Sequence, residues 1–192
     1  MRQLLPLLVW AFSSLLWADP ANQQLAAQID ASGQAYQGNL MFNQAAGSSQ
    51  QQANARAIAV GDNAGASTRV EQLIEQLPPS QSGITASARI GGNSFSQGSG
   101  LLGINQSAGI GNQQINALRM ASGLPEGLDD SALAQQSVAP STTSGTVEPQ
   151  SSERFVAIDE GAFGSSRGVV QLNQSAGVGN RSINNLAIRV AE

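Results

Sequence analysis

The sequence contains no Cys, no His and no Lys, and all nine of its basic residues are Arg. Without thiols and imidazoles it lacks the commonest nucleophile and base pairs, and it lacks the usual zinc ligands. Charged residues make up only 11% of the chain, less than half of their usual share. These absences exclude disulfides and most familiar enzyme sites. We therefore expect a non-enzymatic protein with no cofactor, no metal and no small-molecule substrate.

The residues that fill the chain instead are small and amide-bearing. There are 22 Gln, 13 Asn, 24 Ser and 21 Gly among 192 residues, and 41% of the chain is hydrophobic. The net charge is −4 and the Arg residues are scattered singly, so the chain lacks the clustered cations that bind phosphates. We expect no nucleic-acid partner. With few aromatic anchors, the amides must be stabilised in some other way than by an ordinary core.

The N-terminus has the pattern of a secretory signal. Arg2 precedes an apolar run from Leu4 to Leu16, and Ala18 precedes the polar Asp19. We place cleavage after Ala18, although Leu16 at the minus-three position is larger than the preferred Ala. The alternative, an uncleaved anchor, needs about 20 apolar residues, more than this run supplies. The pattern favours a cleaved signal and therefore export.

Three copies of one unit recur along the chain. They occupy residues 38–54, 100–116 and 168–184, and each begins with Gly and has Asn at its sixth position. Counted from that Asn, every copy has Gln at plus one, Ala at plus three, Gly at plus four, Asn or Gln at plus seven, and Asn at plus eleven. Such self-similarity is typical of stacked repeat proteins.

Each unit alternates apolar and polar residues, which predicts β-strands. Leu102 and Ile104 alternate with Gly103 and Asn105, and a second alternating segment follows a Gly-x-Gly-Asn tetrad. Gly and Asn adopt positive φ at low cost, so a tight turn is expected there. The predicted turn residues are Gly47, Gly109, Gly111, Asn112, Gly177, Gly179 and Asn180. Each unit is therefore predicted to be a strand-turn-strand hairpin.

A stack of these units would align identical amides. One hairpin is marginal in water, but three stacked hairpins can bury a face. Aligned amides donate to one copy and accept from another, which satisfies polar groups that are costly to bury alone. The predicted ladder residues are Asn43, Asn54, Asn105, Asn116, Asn173, Asn184, Gln44, Gln106 and Gln174. We predict an all-β fold: a three-repeat β-solenoid or stacked strand-turn-strand units, with short helical and disordered linkers.

The segments outside the repeats have a different character. We predict a signal peptide over 1–18, an N-terminal segment over 19–29, repeats over 30–60, 88–122 and 156–192, and linkers over 61–87 and 123–155. Asp19 as N-cap and Pro20 at the first helical position favour a short helix in the N-terminal segment. Capping-box spacing predicts a helix from Arg69 to Leu77. The second linker is expected to be disordered apart from a helical turn near Leu128 to Gln136.

The repeats resemble those of the Fap proteins, the functional amyloid system of Pseudomonas. The motif Gly-x-x-x-x-Asn-x-x-Ala-Gly-x-x-Asn-Gln-Gln-x-Asn stands in full at residues 100–116, and the other copies keep most of it. The resemblance implies export through an outer-membrane pore, assembly with itself or related subunits into cross-β fibres, and a place at the cell surface or in the biofilm matrix.

Two departures qualify the resemblance. The fibre subunits of that family typically end with Cys-x-Cys, whereas this chain has no Cys, and the first repeat has Gly47-Ser-Ser-Gln50 in place of the turn tetrad. A paralogue or minor component is therefore favoured over the main subunit. An alternative remains open: a monomeric β-solenoid that acts as a periplasmic escort for fibre subunits or as a surface adhesin.

Overall fold

The described part of the protein consists of β-strands. The computed structural model describes residues 23–62, 65–74, 83–123, 136–138 and 153–190, and every regular element within them is a strand. A helix long and apolar enough to cross a membrane is not found in these ranges. The predicted signal peptide and most of the second linker lie outside the described residues, so their predictions stay predictions.

Each repeat forms three strands, which together we call a rung. Rung 1 consists of β1 (Gln23–Asp30), β2 (Gln37–Ala46) and β3 (Gln51–Val60). Two short strands occupy the linkers, β4 (Val70–Gln72) and β8 (Gln136–Val138). Rung 2 consists of β5 (Ile84–Gly91), β6 (Ser99–Ile110) and β7 (Gln113–Ser122). Rung 3 consists of β9 (Arg154–Ile158), β10 (Arg167–Val178) and β11 (Arg181–Val190).

The rungs stack through parallel, in-register pairing. Sheet A has the order β1-β5-β9, sheet B the order β2-β6-β10, and sheet C the order β3-β7-β11. Rung 2 therefore lies between rung 1 and rung 3 in all three sheets. The prediction of a stacked all-β fold is confirmed. Because the same alternation recurs in each repeat, in-register pairing directs equivalent side chains to the same face.

The prediction of hairpins is wrong in its pairing. The two strands on either side of each glycine turn belong to different sheets, so β6 bonds to β2 and β10 rather than to β7. A hairpin would use the backbone groups within one unit, whereas this arrangement directs them to the neighbouring rungs. Side chains, not backbone bonds, therefore fill the space between the strands of one unit.

The apolar core lies between sheets A and B. One cluster contains Ala88, Ala108 and Ile110, and the other is built around Ile90, Phe95 and Leu102, all of them almost fully buried. Phe95 stacks on Phe163 of rung 3, with ring centroids 5.6 Å apart. Rung 1 has Gly33 in the same place, and an added Cβ there would lie 2.5 Å from the Phe95 ring. The missing side chain makes room for the aromatic ring of the next rung.

The helix expected near the N-terminus is replaced by strand β1, and the rungs begin before the expected repeat bounds at 30, 88 and 156. Ala27 and Ile29 are only 2% exposed while their neighbours Gln28 and Asp30 face solvent. This period of two is the strand signal, and pairing with β5 outweighs the helix-start residues before it.

The helix expected from Arg69 to Leu77 is also wrong where the structure describes it. Val70–Gln72 forms β4, which pairs in parallel with β8 of the other linker. A helix of nine residues is too short to be stable by itself, whereas β4 gains a strand partner and a side-chain contact, since Gln72 Nε2 donates to Gln114 O at 3.2 Å. Of the turn expected near Leu128 to Gln136, only Gln136 is described, and it begins β8.

Close stacking depends on glycine at the start of the second strand of each rung. Gly38, Gly100 and Gly168 are aligned and all have positive φ. A Cβ on Gly100 would lie 2.0 Å from Gly38 O, and one on Gly168 would lie 2.0 Å from Gly100 O, whereas one on Gly38 would meet nothing within 4 Å. In this row the missing Cβ therefore points toward the preceding rung.

Replacing Gly100 and Gly38 by Ala separates backbone strain from stacking. Both sites have positive φ, so both variants carry the cost of a left-handed residue, about 1 kcal/mol. Only Gly100→Ala also drives a Cβ into a carbonyl, and we expect it to lower the free energy of unfolding by about 3 kcal/mol more. Urea unfolding of the soluble chain, followed by circular dichroism, measures both. Equal losses in the two variants would contradict the close stacking.

Candidate functional site

Two rows of Asn face each other between sheets B and C. The register aligns Asn43, Asn105 and Asn173 in sheet B, and it aligns Asn54, Asn116 and Asn184 in sheet C. The turn after the second strand of each rung brings the two rows together. Polar side chains thus form the layer between sheets B and C, opposite the apolar layer between sheets A and B.

Hydrogen bonds run along both Asn rows. Asn105 Nδ2 donates to Asn43 Oδ1, and Asn173 Nδ2 donates to Asn105 Oδ1, both at 3.0 Å. In the facing row, Asn116 and Asn184 make the equivalent bonds to Asn54 and Asn116, also at 3.0 Å. Each amide therefore connects two rungs, in addition to the backbone bonds of its sheet.

Hydrogen bonds between the rows make the layer continuous. Asn116 Nδ2 donates to Asn105 Oδ1 at 3.0 Å and to Ile104 O at 2.9 Å. Asn105 Nδ2 reaches across to Ala53 O at 2.9 Å. Asn105 and Asn116 are 0% and 2% exposed, and their amides have partners on both oxygen and nitrogen. The free-energy cost of burying these two amides is offset because the network leaves no donor or acceptor of either amide unpaired.

The Gln row lies on the other face of sheet B, toward sheet A. Gln106 Nε2 donates to Gln44 Oε1 at 2.9 Å, and Gln174 Nε2 donates to Gln106 Oε1 at 2.8 Å. Gln106 Nε2 also donates to Ala27 O and Arg89 O in sheet A. These bonds link sheet B to sheet A within the apolar layer. They also give the buried Gln106 amide hydrogen-bond partners there.

The turn residues stack as well. Asn180 Nδ2 donates to Asn112 Oδ1 at 3.0 Å, and Asn112 Nδ2 donates to Gly177 O at 3.2 Å. Gly111 and Gly179 have φ near 67°, and Ser49 takes the same left-handed region in rung 1 with φ 55°. The first repeat thus adopts a similar turn without the tetrad, with a residue for which positive φ is costly.

Several residues of the network were not among the predicted ladder. Gln113 Nε2 donates to Gln51 Oε1 at 2.9 Å, and Arg181 Nε donates to Gln113 Oε1 at 3.0 Å. Gln52 Nε2 donates to Gln114 Oε1 at 3.0 Å. The pairs Gln51-Gln52 and Gln113-Gln114 recur at plus eight and plus nine in the first two repeats, which was the available signal. The third repeat hides it, because Arg and Ser stand there.

One charged side chain that contacts sheet B from sheet C is Arg56 of β3. Arg56 NH1 donates to Leu101 O at 2.7 Å and to Asn39 Oδ1, and its partial burial lowers the pKa of the guanidinium. Among the described residues, no group of three or more His, Cys, Asp or Glu could hold a metal ion. The chemistry that this arrangement supports is hydrogen bonding between equal rungs.

Asn105→Asp tests the buried ladder. The substitution removes the donor that serves Asn43 Oδ1 and Ala53 O and places a charge at a fully buried site. We expect the free energy of unfolding to fall by about 3–5 kcal/mol. Asn39→Asp is the control, because its exposed oxygen already accepts from Arg56 and the new charge is favourable there. A similar urea midpoint for both variants would contradict the ladder.

Asp159 of rung 3 is bound by rung 2, so we expect pH to affect the attachment of rung 3 to rung 2. Gly92 N donates to its carboxylate at 3.0 Å and Arg89 NH2 at 2.8 Å, which together hold the pKa of Asp159 below its usual value. A lowered folded-state pKa contributes stability above the unfolded value near 4, and this contribution is lost as pH falls through the folded value. We expect unfolding midpoints to fall as the pH is lowered through about 4 and below, and to fall less steeply in Asp159→Asn. Identical pH profiles would contradict this assignment.

The comparison with known families agrees with this geometry. The sequence profile described as "Functional amyloid protein FapB/FapC family" matches residues 15–191, which is nearly the whole chain. No solved structure matches the chain. The family match includes all three rungs and both linkers.

Proposed function

Since this chain belongs to the functional amyloid protein FapB/FapC family, we propose that it is an exported structural subunit that assembles into fibres by templated edge pairing of its rungs. The single observation that carries the proposal is the in-register ladder of three equivalent rungs, whose first and last members have a neighbour on one side only among the described strands. A fourth rung supplied by another copy would repeat the interactions already made inside the chain.

The outer rung 3 exposes the residue types that rung 2 buries. Ile158, Val170 and Ile183 are 49%, 42% and 41% exposed. Their rung 2 equivalents, Ile90, Leu102 and Ile115, are fully buried. Burial of such side chains favours association by roughly 25 cal/mol per Å² of apolar surface. The terminal edge therefore has both unpaired backbone groups and apolar area to offer a partner.

The described edges of sheets B and C have little of the usual protection against edge pairing. Proteins commonly block edge strands with inward-pointing charges, Pro or bulges. The strands β2, β3, β10 and β11 contain no Pro and no acidic residue. The inward-pointing Arg56 of β3 donates within its own chain, to Leu101 O and Asn39 Oδ1. A strand edge with this composition is suited to pairing with another copy.

The location and partners form part of the proposal. The signal-like pattern over residues 1–18 supports export into the periplasm, and the family supports a fibre at the cell surface or in the extracellular matrix. The partners are further copies or related fibre subunits, with an outer-membrane pore as the export route. The absence of any Cys supports a minor fibre component rather than the main subunit.

Assembly of the purified mature chain, residues 19–192, tests the proposal. We expect thioflavin-positive fibres with a diffraction spacing near 4.7 Å, since strands would stack along the fibre axis. Asn105→Asp with Asn116→Asp should abolish assembly, because two buried carboxylates would face each other in rung 2, where Asn116 Nδ2 now donates to Asn105 Oδ1 at 3.0 Å.

The matched control adds the same two charges outside the repeats. Ser141→Asp with Ser144→Asp lies in the second linker and should leave assembly unchanged. A mature chain that stays monomeric at high concentration would reject the fibre subunit and favour the escort or adhesin. Equal inhibition by the two double variants would reject the ladder as the cause.

A further inference from the structure

We propose that assembly is directional: the rung 1 face of one copy binds the rung 3 face of a second copy, and like faces do not pair. This inference rests on the proposed function, since it identifies the two surfaces that meet when a second copy is added. The rung 1 face is the open edge of β2 and β3, and the rung 3 face is the open edge of β10 and β11.

The Asn amides have a fixed sense along the stack. In sheet B each Nδ2 donates to the Oδ1 of the preceding rung, as Asn105 does to Asn43 and Asn173 to Asn105. The same nitrogens donate to backbone oxygens of the preceding rung, Ala53 O and Ile115 O, both at 2.9 Å. A carbonyl can only accept, so these bonds determine which end of each amide faces which rung.

The two faces consequently carry complementary groups. Asn43 has no preceding rung: its oxygen accepts from Asn105 and Asn54, and among the described residues its Nδ2 donates to none. At the other face, Gln174 Oε1 is buried without a partner, although the same atom of Gln106 accepts from Gln174 Nε2. In these two rows of sheet B, rung 1 thus offers a donor and rung 3 an acceptor.

Two rows contain bonds of the opposite sense and lead to the same conclusion. Gln52 Nε2 donates forward to Gln114 Oε1, and this row ends at Ser182, whose hydroxyl both donates and accepts. In the turn row, Gln50 Nε2 donates forward to Gly109 O and Asn112 Nδ2 to Gly177 O. A second copy related by translation continues a row of either sense. A copy that is turned over would set donors against donors and acceptors against acceptors.

The shape and charge of the faces also fit a translated copy. A groove of about 350 Å³ on rung 3 is lined by Val170, Gln171, Leu172, Asn184, Asn185 and Leu186. The register places Met41 of the second copy above Gln171, and Met41 is 43% exposed. Rung 1, residues 23–62, has two Asp and one Arg, whereas rung 3, residues 153–190, has four Arg and three acidic residues.

One pair of like charges meets at this junction. Asp30 of the second copy would follow Asp159 in its row, but Asp159 is bound on its rung 2 side by Arg89 and Gly92. Its charge is therefore already compensated within its own chain.

Each face has a glycine that can block it alone. A Cβ on Gly38 meets nothing within 4 Å in its own chain, but its row points toward the preceding rung and so toward Gly168 O of the second copy. In the other row, a Cβ on Gly47 or Gly109 would lie within 2.0 Å of the carbonyl of the following rung. A Cβ on Gly177 would therefore meet Gly47 O of the second copy; in its own chain it would lie 3.0 Å from the end of the flexible Arg154 side chain, which can move aside.

Capping of fibre ends tests the inference. Fibre seeds of wild-type chain labelled in one colour are extended with wild-type chain labelled in a second colour. A substoichiometric amount of one variant, Asn43→Asp, Gly38→Ala or Gly177→Ala, is added during extension. Growth at each fibre end is followed by fluorescence microscopy. Asn43→Asp keeps every hydrogen bond that Asn43 makes in its own chain, because Asn43 only accepts. Gly38→Ala blocks the same face without adding charge.

We expect each variant to slow growth at one end only, by about tenfold or more. A mixture of the two single variants Asn43→Asp and Gly38→Ala should still leave one end growing, because both block the rung 1 face. A mixture of the single variants Asn43→Asp and Gly177→Ala should stop growth at both ends. The inference is overturned if a single variant stops both ends, if that last mixture leaves an end growing, or if no variant slows growth. Failure of the wild-type chain to form seeds would instead reject the proposed function.

Discussion

The rest of the structure depends on the requirement that each rung present the same side chain at the same place as the rung beside it. A buried amide has two donor hydrogens and two acceptor sites, and an isolated one is costly. When Asn43, Asn105 and Asn173 are aligned, each amide satisfies the next at 3.0 Å. The repeat motif is therefore a consequence of stacking, since a different residue on one rung would leave its two neighbours unpaired.

This requirement explains why the chain needs so few aromatic and charged residues. The apolar layer between sheets A and B is built largely from Ala, Ile and Leu, with Phe95 and Phe163 stacked at one end. The layer between sheets B and C contains Asn, Gln and Ser rather than a second apolar core. Glycine allows the rungs to approach: carbonyls occupy the places where side chains of Gly100, Gly109 and Gly168 would lie.

The sequence predicts the repeated part of this fold well, because period and recurrence are visible without coordinates. The alignment of Asn54, Asn116 and Asn184 follows from counting residues. The hairpin was wrong since strand patterns do not reveal which strand receives the backbone bonds, and only the three-dimensional stack shows that β6 pairs with β2 and β10. Strand β1 was missed because residues that favour a helix start precede a short alternating segment, and its partner β5 lies about sixty residues away.

The surroundings of rung 2 are those that every rung would have inside a fibre of this chain. It has a rung on both sides, and there Asn105, Gln106 and Asn116 are buried with their amides bonded in both directions. The outer rungs have most of the same residues but, in the part of the chain that the structure describes, a neighbouring rung on one side only. A protein evolved to remain a monomer gains by altering its last rung, as capping repeats do in solenoids. Here rung 3 keeps both Asn173 and Asn184, and the unpartnered oxygen of Gln174 lies where a further rung would donate.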